Sequence, residues 1–176
     1  RFRPAPDLGD NGNRAPLRAA LLGGGTIMGQ ALRAQELLAE RGVAAEVWSA
    51  TSYQLLRNEA LEAERWSRLH PTEPPRTPLV TELLREAAEQ GPIVAASDFL
   101  SAWPDLIARW VPGGWWRALG TDGFGRSDTR AALRAFFEVD AKSVVLAALA
   151  ALGHPSAARA RQVYGVDPGL RPPWER

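Results

Sequence analysis

The strongest constraint on this chain is an alternation. Short apolar runs with β-strand patterning stop at small or polar residues and give way to helical stretches. Leu17 to Leu22 is such a run, and Gly23-Gly24-Gly25 closes it with a tight turn. Thr26 is placed to cap a helix to about Arg41, and Gly42 is the expected stop. Val43 to Ser49 then reads as a strand, and Thr51 or Ser52 starts helical material that reaches Leu69 in pieces. A loop carrying Pro71, Pro74, Pro75 and Pro78 separates it from a helix over Leu79–Glu89, ended by Gly91-Pro92. The third run is Ile93 to Ala96, closed by Ser97 and Asp98. A short helix from Ser101 or Pro104 to Trp110 and a Pro112-Gly113-Gly114 turn follow. Trp115 to Leu119 is the fourth run, and Gly120 to Gly125 a loop. Three helices complete the pattern. One runs to Phe136 with Ser127 or Asp128 as cap, one covers Ala141–Leu152 with Asp140 as cap, and one covers Ser156–Val163.

Strand-helix alternation predicts an α/β sandwich with a largely parallel sheet and helices on both sides. Residues 1–16, rich in Pro, Gly, Asn and Asp, read as an interdomain linker, with residues 17–176 as one domain. In parallel α/β sheets the carboxyl edge is where ligands usually bind. Four loops gather there: Gly23–Thr26, Ser49–Ser52, Ser97–Asp98 and Thr121–Asp128.

Composition narrows the chemistry. The 176 residues carry a net charge of +1, so no large field draws the chain to nucleic acid or an anionic membrane. Cysteine is absent, which excludes thiol catalysis and Cys-ligated zinc, and His70 and His154 are the only histidines. Both sit at expected helix ends with no triad arrangement nearby. Lys142 is the sole lysine among 21 cations, so no Walker-type phosphate loop exists. No run approaches the 18 apolar residues of a membrane span. No secretory leader opens the chain, and the expected compartment is the cytoplasm. The chain starts at Arg1 rather than Met, the expectation for a piece of something longer.

Two segments invite a ligand reading. Gly23-Gly24-Gly25-Thr26 misses G-x-G-x-x-G in both registers, and Glu46 stands inside its strand rather than at the end where a ribose-binding acid belongs. The segment is a strand-to-helix turn, or a cradle presenting N–H groups to an anion. Gly120 to Arg130 packs three glycines, two acids and two arginines around Phe124. Asp122 or Asp128 can pair with Arg126 or Arg130, and the segment is either a recognition loop at a subunit or domain boundary or a structural loop with Ser127 or Asp128 as helix cap. Ala141–Leu152 is apolar nearly all round, which predicts burial, against another domain or subunit.

Six segments, in order, carry a family resemblance: LLGGGTIMGQAL, AAEVWSATSYQLLRNE, AERWSRLHPTEPPRTPLVTELL, IVAASDF, ALGTDGFGRSDTRAALRAFFEVDAKSVVLAAL and YGVDPGLRPP. Together they resemble the C-terminal domain of the homodimeric, single-chain bacterial pyruvate dehydrogenases, the decarboxylating first component of the pyruvate dehydrogenase complex. These are transketolase-like enzymes. The resemblance implies a five-stranded, mostly parallel sheet flanked by helices. It implies a parent that decarboxylates pyruvate on thiamine diphosphate and magnesium, both bound outside this chain, and passes the acetyl group to a lipoyl domain. The implied partners are the parent's own N-terminal and middle domains, a second copy in a homodimer, and the dihydrolipoyl acetyltransferase component. No catalytic, cofactor-binding or metal-binding residue of the family maps onto this chain. What transfers is an interface or anion loop of Thr121, Asp122, Phe124, Gly125, Arg126, Ser127 and Asp128, with Gly23, Gly24, Gly25, Thr26 and Asp98 beside it on the bottom-up reading. Three roles follow: a structural and assembly domain, a nucleotide or anion sensor using Gly23–Thr26, or a docking module for another complex component.

Overall fold

A computed structural model describes residues 1–9, 15–113 and 115–176. Strand β1 (Leu17–Gly23) leads through a 3-10 turn (Gly25–Ile27) into α1 (Met28–Ala39). Strand β2 (Val43–Ser49) is followed by α2 (Tyr53–Leu69) and α3 (Leu79–Gln90). After β3 (Ile93–Ala96) come the single turn α4 (Ala102–Asp105), a 3-10 turn (Ala108–Trp110) and β4 (Trp116–Leu119). The chain closes with α5 (Arg130–Phe136), α6 (Ala141–Ala151), α7 (Ala157–Tyr164) and a 3-10 turn (Pro173–Glu175).

The sheet has the order β2-β1-β3-β4, and all three pairings are parallel. Residue alternation along the strands divides the core in two. Leu21, Val43, Ala45, Val47, Val94 and Ala96 face one layer, with Ile27, Leu38, Val145 and Leu149. Ala20, Leu22, Ile93 and Ala95 face the other, with Val80, Leu84 and Ile107. Burying each large aliphatic side chain is worth about 1.5–3 kcal/mol, so both faces must stay covered. This is the three-layer α/β sandwich expected from the sequence.

Several expectations change in detail. Four strands form the sheet among the described residues, not five. Beyond α7 the chain is rich in proline, which cannot donate to a ladder. At the outer edge of β2 the described residues make one antiparallel bridge, Arg3 to Val47, and the Gln35 amide also donates to the Pro4 carbonyl at 2.9 Å. Trp115 lies just outside β4, although its carbonyl accepts from Ile93 N–H at 2.9 Å. Helix α6 is buried as predicted, but within this fold: Ala141, Val144, Val145, Ala148 and Leu149 join the first core with α1.

The caps divide similarly. Ser52 and Asp140 accept from Leu55 and Ser143 N–H, as expected. Thr129, not Ser127 or Asp128, caps α5 by accepting from Ala132 N–H at 3.3 Å. Thr26 caps nothing, because its hydroxyl is engaged elsewhere.

Candidate functional site

Both neighbours of β1 run parallel to it, so the chain leaves β1 toward β2 on one side and returns as β3 on the other. The carboxyl ends of β1 and β3 therefore flank the topological switch point, where open α/β sheets hold their ligands. The loop after β1 brings Thr26 there, and the loop after β3 brings Asp98. Into the same crevice α5 sends Arg134, nine-tenths buried.

The three side chains form a closed cluster. Arg134 Nε donates to Asp98 Oδ1 at 2.9 Å and Nη2 to Oδ2 at 2.6 Å, a two-pronged guanidinium–carboxylate pair. Thr26 Oγ1 donates to Asp98 Oδ2 at 2.6 Å and accepts from Arg134 Nη2 at 3.2 Å. Partial burial works against ionisation of Asp98. The hydrogen bonds from Arg134 and Thr26, with the charges of Arg134 and Arg130, outweigh it and hold the carboxyl below its usual range. A protein guanidinium thus occupies the part of the crevice between the β1 and β3 ends.

Two glycines allow the surrounding loops to approach so closely. A Cβ on Gly24 would stand 2.5 Å from the Ala50 carbonyl oxygen, and one on Gly120 would stand 2.0 Å from Ser101 N. Thr121 donates from N–H to the Phe99 carbonyl at 2.9 Å and from its hydroxyl to the Asp98 carbonyl at 3.3 Å. Asp122 accepts from Ser101 N–H at 3.0 Å. These bonds fasten the start of the second loop to the Asp98 loop.

The rest of that loop is open. Phe124 is 84% exposed. Arg126 lies over the Phe136 ring at 4.1 Å, and Asp128 accepts from Thr129 N–H. The ion pairs expected of Asp122 and Asp128 with Arg126 and Arg130 are not made. Asp122 serves a backbone N–H instead, and Arg126 stacks. A concavity of about 290 Å³ lies between this loop and α5, bounded by Asp98, Arg126, Arg130, Leu133, Arg134 and Phe137.

Of the residues singled out in sequence, the fold brings Thr26, Asp98, Thr121 and Asp122 into one bonded network. Gly23 ends β1, Gly24 and Gly25 form the turn beside it, and Ser127 is exposed. Arg134 was missed. Its signal was its place four residues after Arg130 on α5, next to the core residues Leu133 and Phe137. Both histidines make local contacts at helix ends: the His70 ring stacks on Trp66 at 4.4 Å, and His154 Nδ1 accepts from Ser156 N–H at the start of α7.

Glu64, inside a segment that carries the family resemblance, accepts from Arg109 at 2.5 Å and from Trp110 Nε1 at 2.7 Å. It ties α2 to the turn before β4. Among the described residues no group of three or more His, Cys, Asp or Glu side chains could hold a metal ion, and no helix is long and apolar enough to cross a membrane.

The transketolase-like TK C-terminal domain family model matches residues 10–140. The Pyruvate dehydrogenase E1 component of Pseudomonas aeruginosa is 42% identical over 175 residues, 96% of this chain and 20% of that protein. The same-named protein of Mycolicibacterium smegmatis is 44% identical over 94% of this chain and 18% of its own length. That of Escherichia coli K12 is 43% identical over 77% of this chain and 15% of its own length. The chain thus spans a fifth or less of these curated relatives. Among solved structures it resembles a split-gene transketolase described as an inactive beta4 tetramer. The TM-score is 0.55 at 21% identity, covering 78% of this chain and 40% of that one, which speaks to the fold alone.

Proposed function

The chain belongs to the transketolase-like C-terminal domain family, and from that premise we propose that it is the C-terminal structural and assembly domain of a thiamine-diphosphate-dependent pyruvate dehydrogenase. The observation that carries this reading is identity of 42–44% across nearly the whole chain to Pyruvate dehydrogenase E1 components about five times its length. In this reading the parent, a cytoplasmic homodimer, decarboxylates pyruvate and passes the acetyl group to a lipoyl domain of the acetyltransferase component.

Thiamine diphosphate and magnesium bind outside this chain. The residues here do not fit them. A magnesium–diphosphate site needs oxygen ligands that converge beside a phosphate-binding turn, and the one acid at the switch point is committed to Arg134 and Thr26. The Gly23–Thr26 turn is a poor anion cradle for the same reason, since ionised Asp98 stands 2.6 Å from the Thr26 hydroxyl. The assembly role is supported by a cluster of exposed apolar groups near the carboxyl edge: Phe99, Leu100 and Trp103 after β3, Phe124, and Trp174. The second loop joins them, because Thr121 bonds to Phe99 and Gly123 lies against Pro173 and Trp174. An aromatic, partly apolar surface of this kind suits a protein interface.

The test has two arms. The purified chain, given pyruvate, thiamine diphosphate, magnesium and an electron acceptor, is expected to show no turnover, and calorimetry no binding of thiamine diphosphate. Added to a pyruvate dehydrogenase truncated of the matching segment, it is expected to restore dimer and activity. Turnover by the chain alone, or failure to bind the truncated enzyme, would overturn the reading.

A further inference from the structure

The switch-point cluster matches one arginine with an acid, and two further arginines border the space beside it, Arg126 with one face on the Phe136 ring. Arg134 is matched by Asp98, but Arg126 and Arg130 border the concavity of about 290 Å³ with no carboxylate partner among the described residues. Among the described residues Asp98 is the only acid on its wall, and its charge is matched there by Arg134. Leu133 and Phe137, on the same side of α5 as Arg130 and Arg134, give that wall an apolar part, and Gly123 and Gly125 also line the space. The N–H groups from Asp122 to Asp128 find no acceptor among the described residues. Exposed guanidiniums, an apolar wall and unpaired N–H groups around one small space are the elements of a site for a small organic anion.

We propose that this concavity binds a small organic carboxylate or phosphate ester, its charged head on Arg130 and Arg126 and its apolar body against Leu133 and Phe137. The site is distinct from the Gly23–Thr26 turn and does not rest on the assembly reading. The volume suits a molecule of roughly benzoate size, at the lower end of ordinary small-molecule pockets.

The test is an amide NMR titration of the chain at constant ionic strength, with benzoate, phenyl phosphate and inorganic phosphate in separate arms. Saturable shifts are expected at the amides of 123–128 and at Leu133. At least one aromatic probe should bind about tenfold tighter than inorganic phosphate, and which of the two is tighter assigns the head group. Arg130→Ala should weaken that probe at least tenfold, Arg126→Ala several-fold, and Arg130→Lys less than Arg130→Ala. Arg85→Ala, on α3 of the opposite layer, should leave it unchanged. A dispersed amide spectrum for each variant separates loss of binding from loss of fold. Shifts elsewhere, linear unsaturated shifts, equal affinity for inorganic phosphate, or an unaltered response in Arg130→Ala would each overturn the site.

Discussion

Two loops at the carboxyl edge look alike in sequence and differ in state. Both are glycine-rich, and both follow a strand. The loop after β1 is spent: Gly24 has no room for a side chain beside Ala50, and Thr26 is bound on both sides of its hydroxyl. The loop after β4 is fastened from Gly120 to Gly123, the last lying against the Pro173 and Trp174 backbone, and opens from Phe124 onward. Gly24 in the first loop and Gly120 and Gly123 in the second serve close packing, whereas Gly25 and Gly125 have no neighbour within 4 Å. Glycine count alone does not distinguish these uses. What distinguishes them is whether a neighbouring backbone stands within van der Waals reach.

The largest effect should come from the group that binds the two loops into one edge. Arg134→Ala strands a partly buried Asp98, and is expected to lower stability by about 4 kcal/mol in urea unfolding. A loss under about 1 kcal/mol would mean that the loops hold without the pair. Gly24→Val comes next, with a loss of about 3 kcal/mol from overpacking against Ala50. Asp98→Asn sharpens the electrostatic part. Because the folded carboxyl titrates below its usual range, its contribution is complete above about pH 4 and fades as pH falls through the folded value. The stability gap between parent and Asp98→Asn should therefore be constant near neutrality and close only in acid. A gap that changes between pH 6 and 8 would assign it to another group. The smallest effects belong to the open loop. Gly125→Ala meets nothing within 4 Å, and Phe124→Ser removes an exposed ring. Both should change stability by less than about 0.5 kcal/mol. Phe124→Ser should nevertheless weaken complementation of the truncated enzyme.

Local patterning revealed most of the fold. The apolar runs at 17–22, 43–49 and 93–96 became buried strands, because alternation feeds two cores at once. The Ser52 and Asp140 caps were legible because a side-chain oxygen three residues before a free N–H is a local arrangement. Thr26 and Arg134 were not legible in the same way. Thr26 is drawn from its expected cap by an acid 72 positions away, and Arg134 meets Asp98 across 36. Such pairings depend on strand order, which sequence periodicity does not encode. The strand count failed for a related reason, since it rested on resemblance and not on a run of residues.

The placement of β1 has a consequence in time. It is the first of this sheet's described strands to be made, yet it sits inside the sheet, with Ala20 facing Ile93. At 5–20 residues per second that partner follows roughly 70 residues and about 4–15 s later on a ribosome. Until then one edge of an almost wholly apolar strand has no ladder to join, and non-local parallel pairing of this kind is slow to form. The emerging chain must keep Leu21 and Leu22 from other partners during that interval, which makes the β1–β2 unit the segment most exposed to misassembly during synthesis.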